Sequence, residues 1–432
     1  MSRLALFGGT PTRTRPLLPW PIFDAREEKA LLEVLRSGEW WCYSFGAGSG
    51  RADNREDLSR SKLVEFQKAF AEMQGAKYGI ACANGTGALE IALKALGVGP
   101  GDEVIVPAYS FIATASAVLM VNAIPIFVDI DYNTFNIDPQ RVEEAINSKT
   151  KAIMPVHFAG QAADMGALLE IAKRHNLAIL EDAAHAHGAT WNERGLGTIG
   201  ELGTFSFQSS KNMTAGEGGL ILANDQSLAA LCESYIWGGR EVGRPWYEHH
   251  RLGWNYRMTE FQGAILIQQL ARLPEQNAKR EHNAFYLTTH LSKIPGISVL
   301  TTPRFAKIHS HHIFIFRFQE REFGIPRKDF LRALEKEGIP CSFGYAHPLY
   351  NNPVFLNQNF YPKGCPFTCG HSERNLDYSS FADLCPNAER ACREAVWLEH
   401  RHLLGEKSDM DAIVEAIGKI YECRQELVRT PV

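Results

Sequence analysis

The sequence predicts an α/β protein with a mostly parallel sheet, followed by a second, smaller α+β domain. Two observations support this prediction. From about residue 76 to residue 224, short and nearly continuous apolar runs alternate with helical patterns, and after Asp225 the character of the chain changes. Strands buried on both faces are typically continuous in apolar residues. Repetition of strand and helix places helices on both faces of a parallel sheet.

The predicted strands of this sheet are short runs that are mostly rich in Ile, Val or Phe, at residues 78–82, 103–107, 124–128, 152–156, 177–180 and 203–207. Helical patterns lie between them at residues 87–96, 139–146 and 165–175. Asp164 is the predicted N-cap of the last helix, because a carboxylate accepts the free N–H groups of a first helical turn. We assign residues 25–275 to a large domain built on these elements.

After Asp225 the sequence no longer alternates short strands with helices. A helix at residues 227–235 precedes a loop rich in Gly, Arg and aromatic residues, and a long helix at residues 259–291 contains Pro274, where we expect a kink. The shorter elements that follow are strands at 297–300 and 312–318 and helices at 327–336, 387–396 and 408–420. We assign residues 276–432 to a small C-terminal domain and residues 1–24 to an N-terminal segment.

Composition narrows the class of partner and the location. The chain has 432 residues and a net charge of −4 without runs of Lys or Arg, so it lacks the basic surface that binds nucleic acids or membranes. No apolar run reaches the roughly 18 residues of a membrane span. Nine scattered cysteines, an odd number, indicate reduced thiols. We expect a cytoplasmic protein with a small-molecule partner.

A zinc site is the competing interpretation of one cysteine-rich stretch. Cys365, Cys369, His371, Cys385 and Cys392 supply four sulfurs and an imidazole, which is a sufficient ligand set for zinc. However, their spacing lacks the paired knuckles of structural zinc sites, and the last of them lies in a predicted amphipathic helix. We therefore predict no metal.

One lysine and one aspartate provide the clearest chemical signal. Lys211 follows aromatic and small residues and precedes a glycine-rich turn, so we expect a partly dry setting that lowers the pKa of its amine. Asp182 ends a predicted strand at the sheet edge where ligands of open parallel sheets bind. Pyridoxal phosphate requires an amine to hold its aldehyde as a Schiff base and a carboxylate to keep its ring protonated. The pair therefore predicts this cofactor.

Other residues at the same predicted edge suit a flat, phosphorylated ligand. Gly85 and Thr86 lie where a strand turns into a helix, so free N–H groups and the helix dipole favour an anion there. An ordinary glycine-rich turn is the alternative. Tyr109 or Phe111, after the next strand, could stack on a pyridine ring, and His185 could reach its phenolate oxygen. The sequence lacks the glycine patterns of mononucleotide and dinucleotide sites.

Six motifs resemble the DegT/DnrJ/EryC1/StrS family of fold-type I pyridoxal phosphate enzymes, the sugar aminotransferases, over roughly residues 20–425. They are Asn84-Gly-Thr-Gly-Ala-Leu, Gly101-Asp-Glu-Val-Ile-Val-Pro, Pro155-Val-His, Glu181-Asp-Ala-Ala-His-Ala-His-Gly, Phe205-Ser-Phe with Lys211 and Gly216-Glu-Gly-Gly, and Gly253-Trp-Asn-Tyr-Arg-Met-Thr-Glu. The resemblance implies a seven-stranded sheet in the large domain. It also implies a glutamate or glutamine donor and a keto-sugar or keto-cyclitol acceptor, in amino-sugar or antibiotic biosynthesis.

The resemblance further implies a role for individual residues. Lys211 would bind the cofactor and move the proton, Asp182 would pair with the pyridine nitrogen, and Phe111 rather than Tyr109 would stack on the ring. His185 stands near the phenolate oxygen, where many members have Gln. The residues implied for the phosphate are Gly85, Thr86 and Ser206, together with Asn255 from a second subunit.

An asparagine that acts across subunits makes the active unit a homodimer with shared active sites. The loop that precedes Asn255 holds several large aromatic residues, which favours an interface; packing on its own domain is the alternative. Arg257 is the candidate for the carboxylate of the amino donor, and His347 either contacts substrate or is structural. Residues 44–50, rich in Gly and Ser, are a candidate lid.

Three functions stay open. The aminotransferase is favoured, with Trp20-Pro and residues 122–129 resembling the scyllo-inosose-type aminotransferases. The second is a dehydratase and aromatase of the 3-amino-5-hydroxybenzoate synthase type, which Gly38-Glu-Trp-Trp and Met213-Thr-Ala-Gly resemble. The third is a regulatory or partner protein that binds the cofactor without catalysis, for which no basic face is evident. Lys at position 211 disfavours the sugar dehydratases, which have His there.

Overall fold

The computed structural model describes residues 3–42, 58–245, 247–358, 360–361, 365–367 and 376–429. Its strands are β1 (Tyr78–Cys82), β2 (Glu103–Pro107), β3 (Ile124–Val128), β4 (Thr150–Ile153), β5 (Ala178–Asp182), β6 (Thr190–Trp191), β7 (Arg194–Gly195), β8 (Leu202–Ser206), β9 (Gly219–Ala223), β10 (Ile297–Val299), β11 (Ala306–Ile308), β12 (Ile313–Phe318) and β13 (Ala395–Glu399). Its α-helices are α1 (Ala25–Ser37), α2 (Lys62–Gln74), α3 (Gly85–Ala95), α4 (Ile112–Met120), α5 (Pro139–Ala145), α6 (Met165–His175), α7 (Gln226–Ile236), α8 (Glu260–Leu291), α9 (Glu320–Phe323), α10 (Arg327–Lys336), α11 (Pro353–Leu356), α12 (Phe381–Leu384), α13 (Pro386–Glu394), α14 (Lys407–Glu422) and α15 (Arg424–Arg429).

A seven-stranded sheet lies at the centre of the larger part of the chain, in the order β1-β9-β8-β5-β4-β2-β3. Neighbouring strands are parallel except at β9, which is antiparallel to both β1 and β8. Strands β2, β3, β8 and β9 are buried along their whole length, as continuous apolar runs predict. The predicted fold class, α/β with a mostly parallel sheet, is confirmed.

Two helices next to this sheet begin at residues whose side chains cap the first turn. The Asp164 carboxylate accepts the N–H of Ala167 at 3.1 Å and begins α6, which confirms the predicted N-cap. The Asn84 side chain begins α3 in the same way, accepting the N–H of Gly87 at 2.8 Å. Such caps satisfy N–H groups that a helix leaves without intrahelical partners. They fix the points at which strands turn into helices along the edge of the sheet.

Several elements differ from the sequence prediction, which does not include α1, α2, α4 or the short strands β6, β7 and β11. Two further differences have a clear physical reason. The prediction omits β9, because glycine weakens a strand pattern. A Cβ on Gly219 would lie 2.3 Å from the Asn84 carbonyl oxygen, so this strand start requires glycine. The helix predicted at residues 387–396 is wrong at its end, since α13 stops at Glu394 and Val396 lies in β13, which pairs with β12.

A second apolar core lies in the C-terminal part of the chain. It surrounds the three-stranded antiparallel sheet β10-β12-β13 and runs from Ala284 to Leu427, with Leu4 added from the N-terminal segment. Helix α8 joins the two cores, because its first turns pack on α1 and α2 while Leu287 and Leu291 belong to the second core. The domain boundary between residues 275 and 276 falls inside this helix and stays a prediction.

Candidate active site

The residues predicted for the cofactor lie along the carboxyl edge of the central sheet. Strand β5 ends at Asp182, which is paired with Thr204 of the neighbouring β8, and β8 ends two residues later at Ser206. Lys211 lies in the turn between β8 and β9. The start of α3 meets the same edge, because a Cβ added to Gly85 would lie 2.7 Å from the Cβ of Ser206. Strands and helices, rather than long loops, therefore position these groups.

Asp182 is a buried carboxylate with two hydrogen-bond donors. Thr114 donates its hydroxyl to Oδ2 at 2.9 Å, and the Ala184 N–H donates to Oδ1 at 3.2 Å. Burial raises the pKa of Asp182, while the Thr114 and Ala184 hydrogen bonds and the Lys211 ammonium oppose that rise. A buried carboxylate held in this way stabilises a nearby N–H⁺ group far better than a solvated one, because water does not screen it.

The adjacent residue, Glu181, has a structural role. Its carboxylate accepts the N–H groups of Gly197, Ile199 and Gly200 at 2.6–2.8 Å and a hydrogen bond from His157 Nε2 at 2.8 Å. Although burial raises the pKa of Glu181, the hydrogen bonds of His157 and the backbone outweigh it and lower that pKa overall. Glu181 therefore stabilises the turn at residues 197–200, whereas Asp182 accepts a hydrogen bond from only one backbone N–H among the described residues.

Lys211 has the lowered pKa that the sequence predicts. Burial lowers the pKa of its ammonium to about 8, against an opposing attraction from the Asp182 carboxylate. The backbone N–H of Lys211 donates to the Gln208 carbonyl at 2.9 Å, which closes the turn. The amine is therefore neutral in about half of the molecules at pH 8, where an ordinary lysine would be neutral in roughly 0.4%.

The start of α3 and the end of β8 form a cradle suited to an anion. The N–H groups of Gly85 and Thr86 belong to the first helical turn, where backbone donors lack intrahelical acceptors and the helix dipole is positive. The Ser206 hydroxyl lies beside them, 3.1 Å from the position of a Cβ on Gly85. Any larger residue at position 85 would fill this space. The arrangement favours the phosphate interpretation over an ordinary turn.

The two candidate aromatic residues differ in burial. Tyr109 is fully buried, with edge-on ring contacts to Phe135, Phe158 and Tyr345 at centroid distances of 5.2–5.4 Å, so it belongs to the core. Phe111, at the start of α4, is 57% exposed at the same edge of the sheet. Only Phe111 therefore presents a ring that a ligand could cover.

His185 is a buried and neutral imidazole. Burial first, and then the nearby positive charge of Lys211, lower its pKa well below the usual value. Its ring lies 4.2 Å from that of His312, and its Nδ1 atom is buried without a hydrogen-bond partner among the described residues. Buried polar atoms are usually paired, so an unpaired one beside Lys211 favours a missing ligand group.

Three other predicted site residues come from later segments of the chain. Asn255 is exposed and forms an isolated bridge with Trp237, and the Arg257 guanidinium lies over the rings of Trp41 and Trp237, at 5.5 Å and 4.8 Å. His347 is exposed in the segment that runs toward the sheet edge. The structure therefore brings together Lys211, Asp182, Gly85, Thr86, Ser206, Phe111 and His185. Asn255 precedes Tyr256, whose carbonyl accepts the Ala83 N–H at 2.7 Å beside the start of α3.

Arginines that could bind a nucleotide-linked substrate are partly engaged elsewhere. Arg251 forms an ion pair with Glu241 at 2.7 Å and donates to the Ser234 hydroxyl at 3.0 Å. Arg244 lies 3.8 Å from the same glutamate. Both arginines thus already contact a carboxylate.

Sequence reasoning missed Thr114 and His312. Thr114 lies one helical turn beyond Phe111, so its place on the face of α4 toward the strand ends was a usable signal. His312 comes from a distant segment, and its Nδ1 donates to the Asn212 side-chain oxygen at 2.9 Å. No local pattern links residues 185 and 312, so only the fold could reveal that contact.

Several sequence predictions concern residues outside the described ranges. The candidate lid at residues 44–50, and Cys369 and His371 of the zinc interpretation, lie there. Within the described ranges, no three His, Cys, Asp or Glu side chains converge as metal ligands, and the described cysteines are free thiols. No helix in those ranges is long and apolar enough to cross a membrane.

Pyridoxal phosphate fits the residues present. The orphaned Nδ1 of His185, the glycine cradle at the start of α3 and the exposed ring of Phe111 each match one part of a flat, phosphorylated ring. The amine of lowered pKa beside a buried carboxylate completes the match. Fold and site together define a pyridoxal-phosphate-dependent enzyme of the aminotransferase class.

The chain belongs to the DegT/DnrJ/EryC1/StrS aminotransferase family, whose sequence profile matches residues 58–418. It is 37% identical to an L-glutamine:2-deoxy-scyllo-inosose aminotransferase from Streptoalloteichus tenebrarius, over 98% of this chain and 99% of that one. It is also 40% identical to a pleiotropic regulatory protein from Geobacillus stearothermophilus, over 83% of this chain and 89% of that one. The predicted family is confirmed.

Solved structures agree with this assignment. The fold is similar to that of 3-amino-5-hydroxybenzoic acid synthase, with a TM-score of 0.82 and 34% identity over 95% of this chain and all of that one. It is also similar to NtdA from Bacillus subtilis, which holds bound cofactor PMP, with a TM-score of 0.75 and 26% identity over 95% of this chain and 86% of that one. The predicted cofactor, pyridoxal phosphate, is thereby confirmed at the level of the family.

Proposed function

We propose that this aminotransferase moves the amino group of glutamate or glutamine to a keto-cyclitol or keto-sugar, in the biosynthesis of an amino sugar or antibiotic. The observation that carries the proposal is the Lys211 amine, whose pKa burial lowers to about 8 beside the buried Asp182 carboxylate. Similarity over nearly the full length to a glutamine-dependent inosose aminotransferase supports the choice of donor and of a cyclic acceptor.

Each residue at the sheet edge has a proposed part in holding the cofactor. When bound, pyridoxal phosphate supplies an electron-withdrawing ring and a carrier for the amino group. Asp182 holds the proton on the ring nitrogen, and Phe111 covers one ring face. Gly85, Thr86 and Ser206 bind the phosphate through backbone N–H and hydroxyl donors. His185 uses its free Nδ1 to hydrogen-bond the ring oxygen.

Lys211 is the proposed general base and acid. In its neutral form, the Lys211 amine would remove the proton from the donor carbon that bears the amino group. The resulting ammonium would return that proton to the cofactor carbon that carries the nitrogen. A pKa of about 8 serves both directions, since the amine exists in both protonation states near neutral pH. The turn closed by the Gln208 carbonyl fixes the backbone from which this side chain reaches.

The proposed active unit is a homodimer in which Asn255 reaches the phosphate of the partner subunit. Asn255 is exposed on its own chain. The preceding loop also exposes apolar side chains, including Val242 at 66% and Leu252 at 90%, which a second copy would cover. Arg257 is proposed for the donor carboxylate and His347 for the acceptor.

A dehydratase and aromatase of the 3-amino-5-hydroxybenzoate synthase type is the second candidate. The observation that favours it is the likeness of the whole fold to that enzyme, with a TM-score of 0.82. Both reactions need the same lysine and aspartate, so the residues around the cofactor do not separate them. Whether the enzyme transfers an amino group or eliminates water depends on the acceptor and its leaving groups.

A non-catalytic regulator is the third candidate, supported by 40% identity to a pleiotropic regulatory protein. The lowered pKa of Lys211 argues for catalysis, because a half-buried amine that titrates near neutral pH is suited to proton transfer. We also propose a cytoplasmic location, supported by the free thiols of the described cysteines.

Absorbance of the purified protein with pyridoxal phosphate tests these proposals. The expected result is a visible cofactor band that glutamate or glutamine converts to the shorter-wavelength band of the aminated cofactor. Keto-cyclitols and keto-sugars should then restore the first band. A band that no donor changes would refute the aminotransferase and favour the synthase or the regulator. Failure of borohydride to fix cofactor on Lys211 would refute the assignment of the lysine.

A further inference from the structure

Arg280, in the middle of α8, is a buried cation of unusual setting. Its side chain is fully buried, and no carboxylate of the described residues forms an ion pair with it. Instead it donates to the Asn277 side-chain oxygen at 2.9 Å and to His400 Nδ1 at 3.3 Å. A buried charge is costly unless it is hydrogen-bonded, so these neutral acceptors stabilise a guanidinium whose Nε has no hydrogen-bond partner among the described residues.

The arginine determines the tautomer of His400. A guanidinium only donates, so the Nδ1 atom that faces it must carry a lone pair. The neutral imidazole then carries its hydrogen on Nε2, and Nε2 donates to the Ser210 carbonyl at 3.1 Å. Ser210 immediately precedes Lys211. The chain of contacts from α8 through the end of β13 thus ends on the backbone of the lysine turn.

A second donor reaches the same turn from the N-terminal segment. Trp20 donates its indole N–H to the Ser209 carbonyl at 2.9 Å, and its ring packs edge-on against His400 with centroids 4.4 Å apart. Two consecutive carbonyls before Lys211 therefore accept hydrogen bonds from side chains that are about 190 residues away in sequence, one in each direction. A turn held at both carbonyls has little freedom to rotate.

We propose that His400, oriented by Arg280, and Trp20 are positioning residues that hold the Ser209–Ser210 backbone and so aim the Lys211 amine. They act through the turn and do not touch the reacting atoms. The inference rests on the proposed role of Lys211. It adds that residues of the N-terminal segment and of the C-terminal part set the geometry of the lysine.

Amide hydrogen exchange of the cofactor-free protein tests the positioning directly. The backbone N–H of Lys211 bonds the Gln208 carbonyl within the turn, so its exchange rate measures opening of the turn. His400→Phe keeps an aromatic ring but removes the Nε2 donor, and exchange at Lys211 should become about tenfold faster, the value of one net hydrogen bond. His400→Gln retains an N–H donor and should restore slow exchange. His402→Phe is the matched control, because His402 is equally buried but bonds the Glu399 carbonyl.

Kinetics of the holoenzyme provide the second readout. His400→Phe should lower kcat about tenfold with KM for the donor unchanged, and His400→Gln should recover most of that loss. Trp20→Phe, at a half-exposed residue, should show the same pattern if His400→Phe fails to fold. Unchanged exchange and kcat in both His400→Phe and Trp20→Phe would overturn the positioning role, and so would an equal effect of His402→Phe. A wild-type protein without any transamination would refute the proposed function instead, while the exchange rates would still report on the turn.

Discussion

Replacing Thr114 by valine should weaken catalysis through Asp182, and it also removes the partner of the Ser110 hydroxyl at 2.9 Å. The substitution keeps the size of the side chain and removes the hydroxyl that donates to Asp182 Oδ2 at 2.9 Å. A hydrogen bond to a charged, buried group contributes about 1.5–3 kcal/mol. Its loss should therefore raise the pKa of Asp182, because the charged form loses this stabilisation. Burial already raises that pKa, and the Thr114 hydrogen bond is the largest effect that opposes the rise.

The assay is the pH dependence of kcat/KM for the amino-donor half-reaction. The hydrogen bond stabilises the charged form, so its removal favours protonation, and activity should be lost at a higher pH as the solution is acidified. The acid limb should move to higher pH, and kcat/KM measured on that limb should be about tenfold lower than in the wild type. Thr114→Ser should behave like the wild type, because serine supplies the same hydroxyl.

Thr204→Val is the matched control. Thr204 is equally buried and lies opposite Asp182 in the sheet, but its hydroxyl donates to the Glu181 carbonyl at 3.3 Å. It should leave the acid limb in place. An acid limb that is unchanged in Thr114→Val, or shifted equally by Thr204→Val, would refute the reasoning that this hydroxyl holds the carboxylate in its charged form.

Four further predictions test the rest of the site. Asp182→Asn should bind cofactor but lose on the order of a hundredfold in turnover, because an amide cannot hold the ring proton; near-normal turnover would show that another residue is the partner. Reductive methylation of Lys211 in cofactor-free protein should rise with a midpoint near pH 8, where the neutral amine appears, and a midpoint near 10.4 would mean a solvated amine. Gly85→Ala should introduce about 1–3 kcal/mol of strain and weaken cofactor binding measured by titration, whereas Gly99→Ala, with open space around its Cβ, should not. Mixed dimers of Lys211→Ala and Asn255→Ala subunits should regain activity, and no recovery after demonstrated subunit exchange would contradict a shared site.

The sequence predicted the sheet well because its strands are buried on both faces. Continuous apolar runs located β1, β2 and β3 to the residue, while β9 was missed because its first residue is a glycine required by close backbone packing. The end of α13 was wrong because the amphipathic pattern continues into β13, whose identity depends on pairing with β12. Propensity alone cannot supply such a partner.

The site was predictable where its chemistry lies within short motifs. Asp182 is the last residue of a strand, and Lys211 and the glycine turn at the start of α3 follow strand ends, which places them at one edge by topology alone. The choice of Phe111 over Tyr109 needed the family pattern, and burial agrees with it. Contacts across the chain, such as His185 on His312, were beyond the sequence, because no periodicity links segments that meet only after folding.

The two adjacent carboxylates of β5 have a consequence for strand register. Side chains alternate along a strand, so a slip by one residue would exchange the places of Glu181 and Asp182. In the native register, Glu181 receives three backbone N–H groups and the imidazole of His157. A shorter aspartate in that position would leave several buried donors unsatisfied, at about 1–3 kcal/mol each. The contacts of Glu181 therefore favour the native register over a one-residue slip. In the native register, Asp182 lies at the candidate site.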